Sequence, residues 1–269
     1  MNRAFGIEIE ATGLSMNRVV EVLTAVGIQA AVDGYNHTTK TYWKVVSDAS
    51  LIGANAFEVV SPILRGENGL MQVALVAHAL ETAGAKVNGS CGFHVHIDGR
   101  DLTTDQLKRV CKMWLKYENC FDAVVGASRR NNRFCKGIRS KFQSLEQGFK
   151  AIDKATNLNG IIQAVNGDGT GYTSRYHKLN LESMLRHGTV EFRQHGGTVT
   201  GEKMTSWIKL VMGFVTCAMT AKAIRATGDG KFANLLDVCP DAATRKFFVS
   251  RKAKFADADR ANGRTPIAA

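Results

Sequence analysis

Proline is scarce in this chain, and acidic side chains are outnumbered by basic ones. It carries three prolines in 269 residues, and 24 Asp and Glu against 35 Lys and Arg, a formal net charge of +11. So little proline beside 45% hydrophobic residues excludes collagen-like and proline-rich disordered chains, and it supplies apolar side chains enough for a core. Long apolar runs are lacking as well. The longest, Leu210 to Met219, falls well short of the roughly 20 residues that cross a bilayer, so no membrane span is expected. Six cysteines stand without a CxxC pair, which fits neither a disulfide framework nor a thiolate zinc site and predicts buried, reduced thiols. Glu8 and Glu10 occupy the stretch where a signal peptide would be apolar, so the sequence reads as cytoplasmic.

The surplus of positive charge suits a polyanionic ligand, whether nucleotide, nucleic acid or acidic substrate, but it also describes many soluble basic proteins. Hydrophobic periodicity is more informative. Phe5, Ile7 and Ile9 alternate with Gly6, Glu8 and Glu10, the period of a half-buried strand with both carboxylates on one face. Ser15 is placed to cap a helix carrying Met16, Val19, Val20, Leu23 and Val26 as far as Gly27. Short β-type segments at 28–32, 42–47 and 56–61 are expected as antiparallel neighbours. An apolar helix at 67–83 then precedes a strand at 91–98, in which His94, His96 and Asp98 face away from Phe93, Val95 and Ile97.

Thr103 with Gln106 is a capping-box signal for a long helix to about Val125. Residues 126–140 hold Arg129, Arg130, Arg133, Lys136 and Arg139 and break every pattern, which predicts a basic loop. A short helix at 144–156, a flexible Gly/Asn/Asp-rich segment at 157–171 and strands at 176–181 and 189–195 follow. A helix at 202–226 comes next, then a basic helical or mobile tail from about 245. No repeat or linker interrupts the chain, so residues 1–269 read as one α+β domain: a mainly antiparallel sheet with helices packed on one face. Trp43, Trp114 and Trp207 read as core aromatics, and His37 and His78 as structural.

Three strands present polar pairs at spacing two: Glu8 with Glu10, His94 with His96, and Glu191 with Arg193. One such pair alone describes a solvated sheet face. Three of them, with Glu58 as a possible fourth carboxylate, would gather acids, imidazoles and a guanidinium on one surface, and carboxylates packed so closely need cations between them. Oxygen-rich ligands with an imidazole suit magnesium or manganese, and an arginine beside them suits a phosphate.

The ordered set Phe5-Gly6-Ile7-Glu8-Ile9-Glu10, Glu58-Val59-Val60-Ser61-Pro62, Cys91-Gly92-Phe93-His94-Val95-His96-Ile97-Asp98, Ser128-Arg129-Arg130-Asn131-Asn132-Arg133-Phe134-Cys135 and Thr189-Val190-Glu191-Phe192-Arg193 resembles the amidoligase family. That family belongs to the carboxylate-amine ligase superfamily, with glutamine synthetase and glutamate-cysteine ligase. The likeness runs from about Phe5 to Trp207. It implies a glutamine-synthetase-like curved antiparallel sheet that binds ATP and two or three Mg2+ or Mn2+ ions. By that resemblance Glu8, Glu10, Glu58, His94 and Glu191 are metal ligands, while His96 and Arg193 face the ATP phosphates. Arg129 and Arg133 would contact phosphate or an acidic substrate. Where glutamine synthetase places a second glutamate beyond the one matched by Glu58, this chain offers Glu67, in a predicted helix start.

The implied activity is ATP-dependent joining of a carboxylate to an amine through an acyl phosphate, with amino acids, peptides or proteins as substrates and an anionic acceptor drawn to the basic surface. Two rivals remain from the residues alone. His-x-His on a strand also serves metal-dependent hydrolases, with His177, His187 or His195 completing the set. The basic balance also suits nucleic acid, although its arginines lack interleaved aromatics for stacking.

Overall fold

A computed structural model describes residues 3–34, 36 and 38–269. His37 and the first two residues, a part of the signal-peptide reading, lie outside the described residues. The chain divides into two compact units, Met1–Ile97 with His195–Ile208, and Asp98–Gln194 with Lys209–Ala269.

The first unit is built on alternation. Strands β1 (Phe5–Ala11), β2 (Ala30–Val32), β3 (Trp43–Val46), β4 (Phe57–Val60) and β5 (Gly92–Asp98) lie in the order β2-β3-β4-β1-β5. β1 runs antiparallel to both neighbours, with Glu8 opposite Val60 and His94, and Glu10 opposite Glu58. Phe5, Ile7, Ile9, Phe57, Val59, Phe93, Val95 and Ile97 are buried. Helices α1 (Met16–Ala25) and α2 (Gly66–Thr82) pack together. Gly69 of α2 sits so close to Phe5 and Leu64 that an added Cβ would meet them at 3.1 and 3.0 Å, so α2 covers the apolar face and leaves the carboxylate face to other uses. Ser15 caps α1 by accepting from the Arg18 N–H, as its position predicts. Glu67 stands in the first turn of α2.

One pairing departs from expectation. β2 is parallel to β3, with Ala30 opposite Trp43 and Val32 opposite Val45, while β3 and β4 are antiparallel. A hairpin needs a turn of 2–5 residues; here ten residues separate β2 from β3, and β3 starts beside the start of β2.

In the second unit α3 (Thr104–Asp122) begins with the capping box between Thr103 and Gln106. The basic segment contains two single 3-10 turns, Ala127–Arg129 and Arg139–Lys141. α4 (Leu145–Asp153) follows. The expected flexible segment is instead largely helix α5 (Leu158–Asn166). Leu158, Ile161, Ile162 and Val165 have helical spacing, and Asn157 caps them by accepting from the Gly160 N–H; the Gly and Asn content obscured that stripe. Strand β6 is only Leu179–Asn180, because the chain turns into α6 (Glu182–His187), ended by Gly188 at φ +66°. β6 pairs antiparallel with β7 (Thr189–Gly196), Asn180 opposite Glu191. α7 (Gly201–Thr220), α8 (Phe232–Leu236) and α9 (Ala242–Ala261) complete the chain.

The second core joins Trp114, Phe121, Phe192 and Phe214, whose ring centroids lie 4.6–6.3 Å apart. All three tryptophans are buried, as expected of core aromatics. Five cysteines are buried, but Cys217 is exposed on α7, where the helix turns that flank outward. No described helix is long and apolar enough to cross a membrane. Seven mostly antiparallel strands and nine α-helices among the described residues make the fold α+β.

Candidate functional site

Period-two geometry puts Glu8, Glu10, Glu58, His94 and His96 on the face of the first unit's sheet opposite its apolar core. His94 joins the two acids of β1. Its Nδ1 lies 2.9 Å from Glu8 Oε2, and its Nε2 lies 3.7 Å from Glu10 Oε1. His96 Nε2 is 3.4 Å from Glu8 Oε1. The Gly92 N–H donates to Glu10 Oε2 at 2.5 Å, which orients that carboxylate from the adjacent strand. Glu10, Glu58 and His94 each offer a ligand atom, all within 4.8 Å of one another. Burial pushes the Glu8 carboxyl upward, but hydrogen bonds and charge from His94 and His96 outweigh it, holding Glu8 well below the usual carboxylate range.

Lys44 belongs to the same face. It sits opposite Val60, which sits opposite Glu8, so all three side chains leave the sheet on one side. Its Nζ donates to Asn36 O at 2.7 Å, Asn36 Oδ1 at 3.3 Å and Thr38 O at 3.2 Å. Burial lowers its pKa, against the pull of Glu58, Asp33 and Glu8. Sequence reading passed over Lys44 because Trp43-Lys44-Val45-Val46 is short and mostly apolar, and its place on this face follows from the register with Val60 and Glu8, which the sequence does not carry.

Within the second unit Glu191 and Arg193 stand on β7, and Arg129 of the first 3-10 turn reaches the backbone of that strand. Arg193 Nη1 donates to Glu191 Oε1 at 2.5 Å, and Asn180 Nδ2 to Glu191 Oε2 at 2.6 Å, so both carboxylate oxygens are oriented. Tyr176 lies beneath the Arg193 guanidinium, 5.9 Å from it. Arg129 is buried and turned inward: its Nη2 donates to Arg193 O at 2.6 Å and its Nε to Gln194 O at 3.3 Å. Arg133 lies over the Phe134 ring at 4.5 Å.

Behind β7 a buried network supports this set. Lys178 Nζ donates to Asp122 Oδ1 at 2.6 Å and reaches Glu118 Oε1 at 3.4 Å, and Gln194 Nε2 donates to Asp122. Glu118 also accepts from Trp114 Nε1 and from the Ile138 and Arg139 N–H groups, which fixes the end of the basic segment. Burial raises Asp122 to about 6 despite Lys178, whereas the two acids hold Lys178 above its usual value despite burial. None of these residues carries a motif, and helical spacing of Glu118 and Asp122 was their one trace in the sequence.

Residues 1–215 match the family described as "Putative amidoligase enzyme". The chain belongs to that family. Membership supports a ligase that joins carboxylate and amine groups. Curated proteins yield no match. Solved structures similar to the chain include a "Crystal structure of novel glutamine synthase homolog", at 10% identity and TM-score 0.45 over 97% of this chain and 67% of that one. Another is the "GmaS/ADP complex-Conformation 1", at 10% identity and TM-score 0.45 over 96% of this chain and 70% of that one.

Two histidines of the hydrolase reading, His195 and His177, make other contacts. His195 packs edge-on to Phe93 and against Trp207, at centroid distances of 5.7 and 5.1 Å. His177 Nδ1 meets Ser174 O at 2.9 Å.

Proposed function

We propose that this chain is an ATP-dependent carboxylate–amine ligase that releases ADP and phosphate. The observation that carries the reading is the gathering of Glu10, Glu58 and His94, ligand atoms within 4.8 Å, in a member of an amidoligase family. Carboxylate oxygens with one imidazole fit Mg2+ or Mn2+ better than structural zinc. Glu8 and Glu191 are the further proposed ligands. A bound divalent ion supplies charge neutralisation for the nucleotide's phosphate oxygens.

The chain's own residues do the rest. His96 and Arg193 bind phosphate oxygens, with the Arg193 fork held by Glu191 and Tyr176. Arg133, from the basic segment, binds phosphate or an acidic substrate, while Arg129, buried against the Arg193 and Gln194 carbonyls, ties that segment to β7. A free carboxylate resists amines because its leaving group would be oxide. Transfer of the γ-phosphoryl group to it gives an acyl phosphate, and the amine then displaces phosphate with loss of one proton, leaving an amide. Orienting the reactants and excluding water supply much of the rate. Carboxylate and amine come from amino acids, peptides or proteins.

The test is ADP release by purified protein with magnesium, screened against amino acids and small peptides, with product mass recorded. Glu8→Ala and Glu191→Ala should abolish turnover. Undiminished turnover in both removes the metal assignment.

A further inference from the structure

Helix α9 (Ala242–Ala261) lies beyond the family match, which ends at residue 215, yet it is tied to the basic segment. Arg251, Phe255 and Asp259 are spaced by four and form one stripe along the helix. Arg251 Nε donates to Val124 O at 2.7 Å, and its guanidinium lies 5.0 Å over the Phe255 ring. Phe255 in turn lies 3.7 Å from where a Cβ on Gly126 would stand. Asp259 Oδ2 accepts from Arg130 Nη1 at 2.6 Å, and its Oδ1 accepts from Arg264 Nε at 3.1 Å. The stripe therefore meets the chain from Val124 to Arg130, where α3 ends and the basic segment begins.

Arg130 is the hinge of this arrangement. Its Nε donates to Asp122 O at 3.0 Å and Val125 O at 3.3 Å, covering the carbonyl end of α3, while its Nη1 is given to Asp259. That carboxylate is 2% exposed, so the pair is shielded from solvent and its hydrogen bond is charge-assisted. One residue earlier, Arg129 grips the carbonyls of Arg193 and Gln194. Three residues later stands Arg133.

We infer that Asp259 is a positioning residue: through Arg130 it fixes the turn that seats Arg129 on the β7 carbonyls and presents Arg133, making the C-terminal helix part of the phosphate-binding apparatus. The inference rests on the ligase reading for its link to phosphate, and on geometry alone for its hold on the turn. Anchoring the tail would need only the bond to Arg264.

The experiment uses full-length protein and compares Asp259→Asn, Asp259→Glu and Arg264→Gln. Amide hydrogen exchange over residues 126–134 should quicken roughly tenfold or more in Asp259→Asn, the effect of losing one charge-assisted hydrogen bond, and stay at the wild-type rate in β1. Asp259→Glu should recover part of the protection, and Arg264→Gln should leave the turn unchanged. KM for MgATP should rise in Asp259→Asn with kcat largely kept. Wild-type exchange in Asp259→Asn, or equal loosening by Arg264→Gln, overturns the positioning role; loosening without any change in KM overturns its link to phosphate. If Asp259→Asn fails to fold, Arg130→Lys gives the same comparison from the other partner. Wild-type protein that binds no MgATP defeats the ligase reading, while the exchange result still decides what Asp259 does.

Discussion

Lys178 shows how much one side chain can hold in place here. Its ammonium is buried between Glu118 and Asp122, and those acids also position the Ile138 and Arg139 amides and the Gln194 side chain. Lys178→Met leaves two carboxylates buried without their cation, a change expected to cost about 3–5 kcal/mol, measured by urea unfolding; a loss below about 1 kcal/mol would show the network to be dispensable. Asp122 gives the same network a pH signature. Its carboxyl is raised to about 6 from 3.8, first by burial, so the folded state binds this proton more tightly than the unfolded chain does. The stability it contributes is full below about pH 4 and lost as pH rises through about 6, up to roughly 3 kcal/mol. Unfolding free energy of wild type should therefore fall relative to Asp122→Asn by up to about 3 kcal/mol across that window, and a flat difference would remove the assignment.

Elements with a clear period were legible in the sequence; those set by partners were not. β1 and β5 were readable because apolar residues alternate with polar ones along each, and α1 and α3 because Ser15 and Thr103 cap them. The parallel pairing of β2 was not, since three residues carry no sign of direction. Of the candidate site, the acids and histidines on β1, β4 and β5 could be read from alternation, whereas Lys44 and the Lys178 network depend on what other strands and helices bring beside them. Close approach is equally silent in a sequence. Gly213 lies mid-helix in α7, where a Cβ would collide with the Val238 backbone carbonyl. Helix propensity alone makes Gly→Ala stabilising by about 1 kcal/mol, but the collision with backbone makes Gly213→Ala destabilising by about 1–3 kcal/mol. The sign of the change in thermal unfolding separates the two.

For the whole molecule, the proposed ligase function implies that the net charge of +11 would draw nucleotide anions from a distance, while the acids on the face of β1 and β4 would attract metal ions at short range. The two effects separate by salt: association of MgATP should slow as ionic strength rises past the point where the Debye length is about 10 Å, whereas metal binding at close-set carboxylates should persist. Metal binding at this cluster would also be linked to folding. Glu10, Glu58 and His94 converge only in the folded chain, so any ion they hold stabilises that state, by about 2.7 kcal/mol at a hundred times its dissociation constant. Thermal unfolding with Mn2+ or Mg2+ should shift upward in wild type and return on chelation. Glu10→Gln keeps an oxygen to accept the Gly92 N–H but removes a ligand charge, so metal-free stability should change little and the metal-induced shift should be lost. An equal shift in both proteins would mean that the ion binds elsewhere, and the acids of β1 and β4 would then need another explanation for standing so close together.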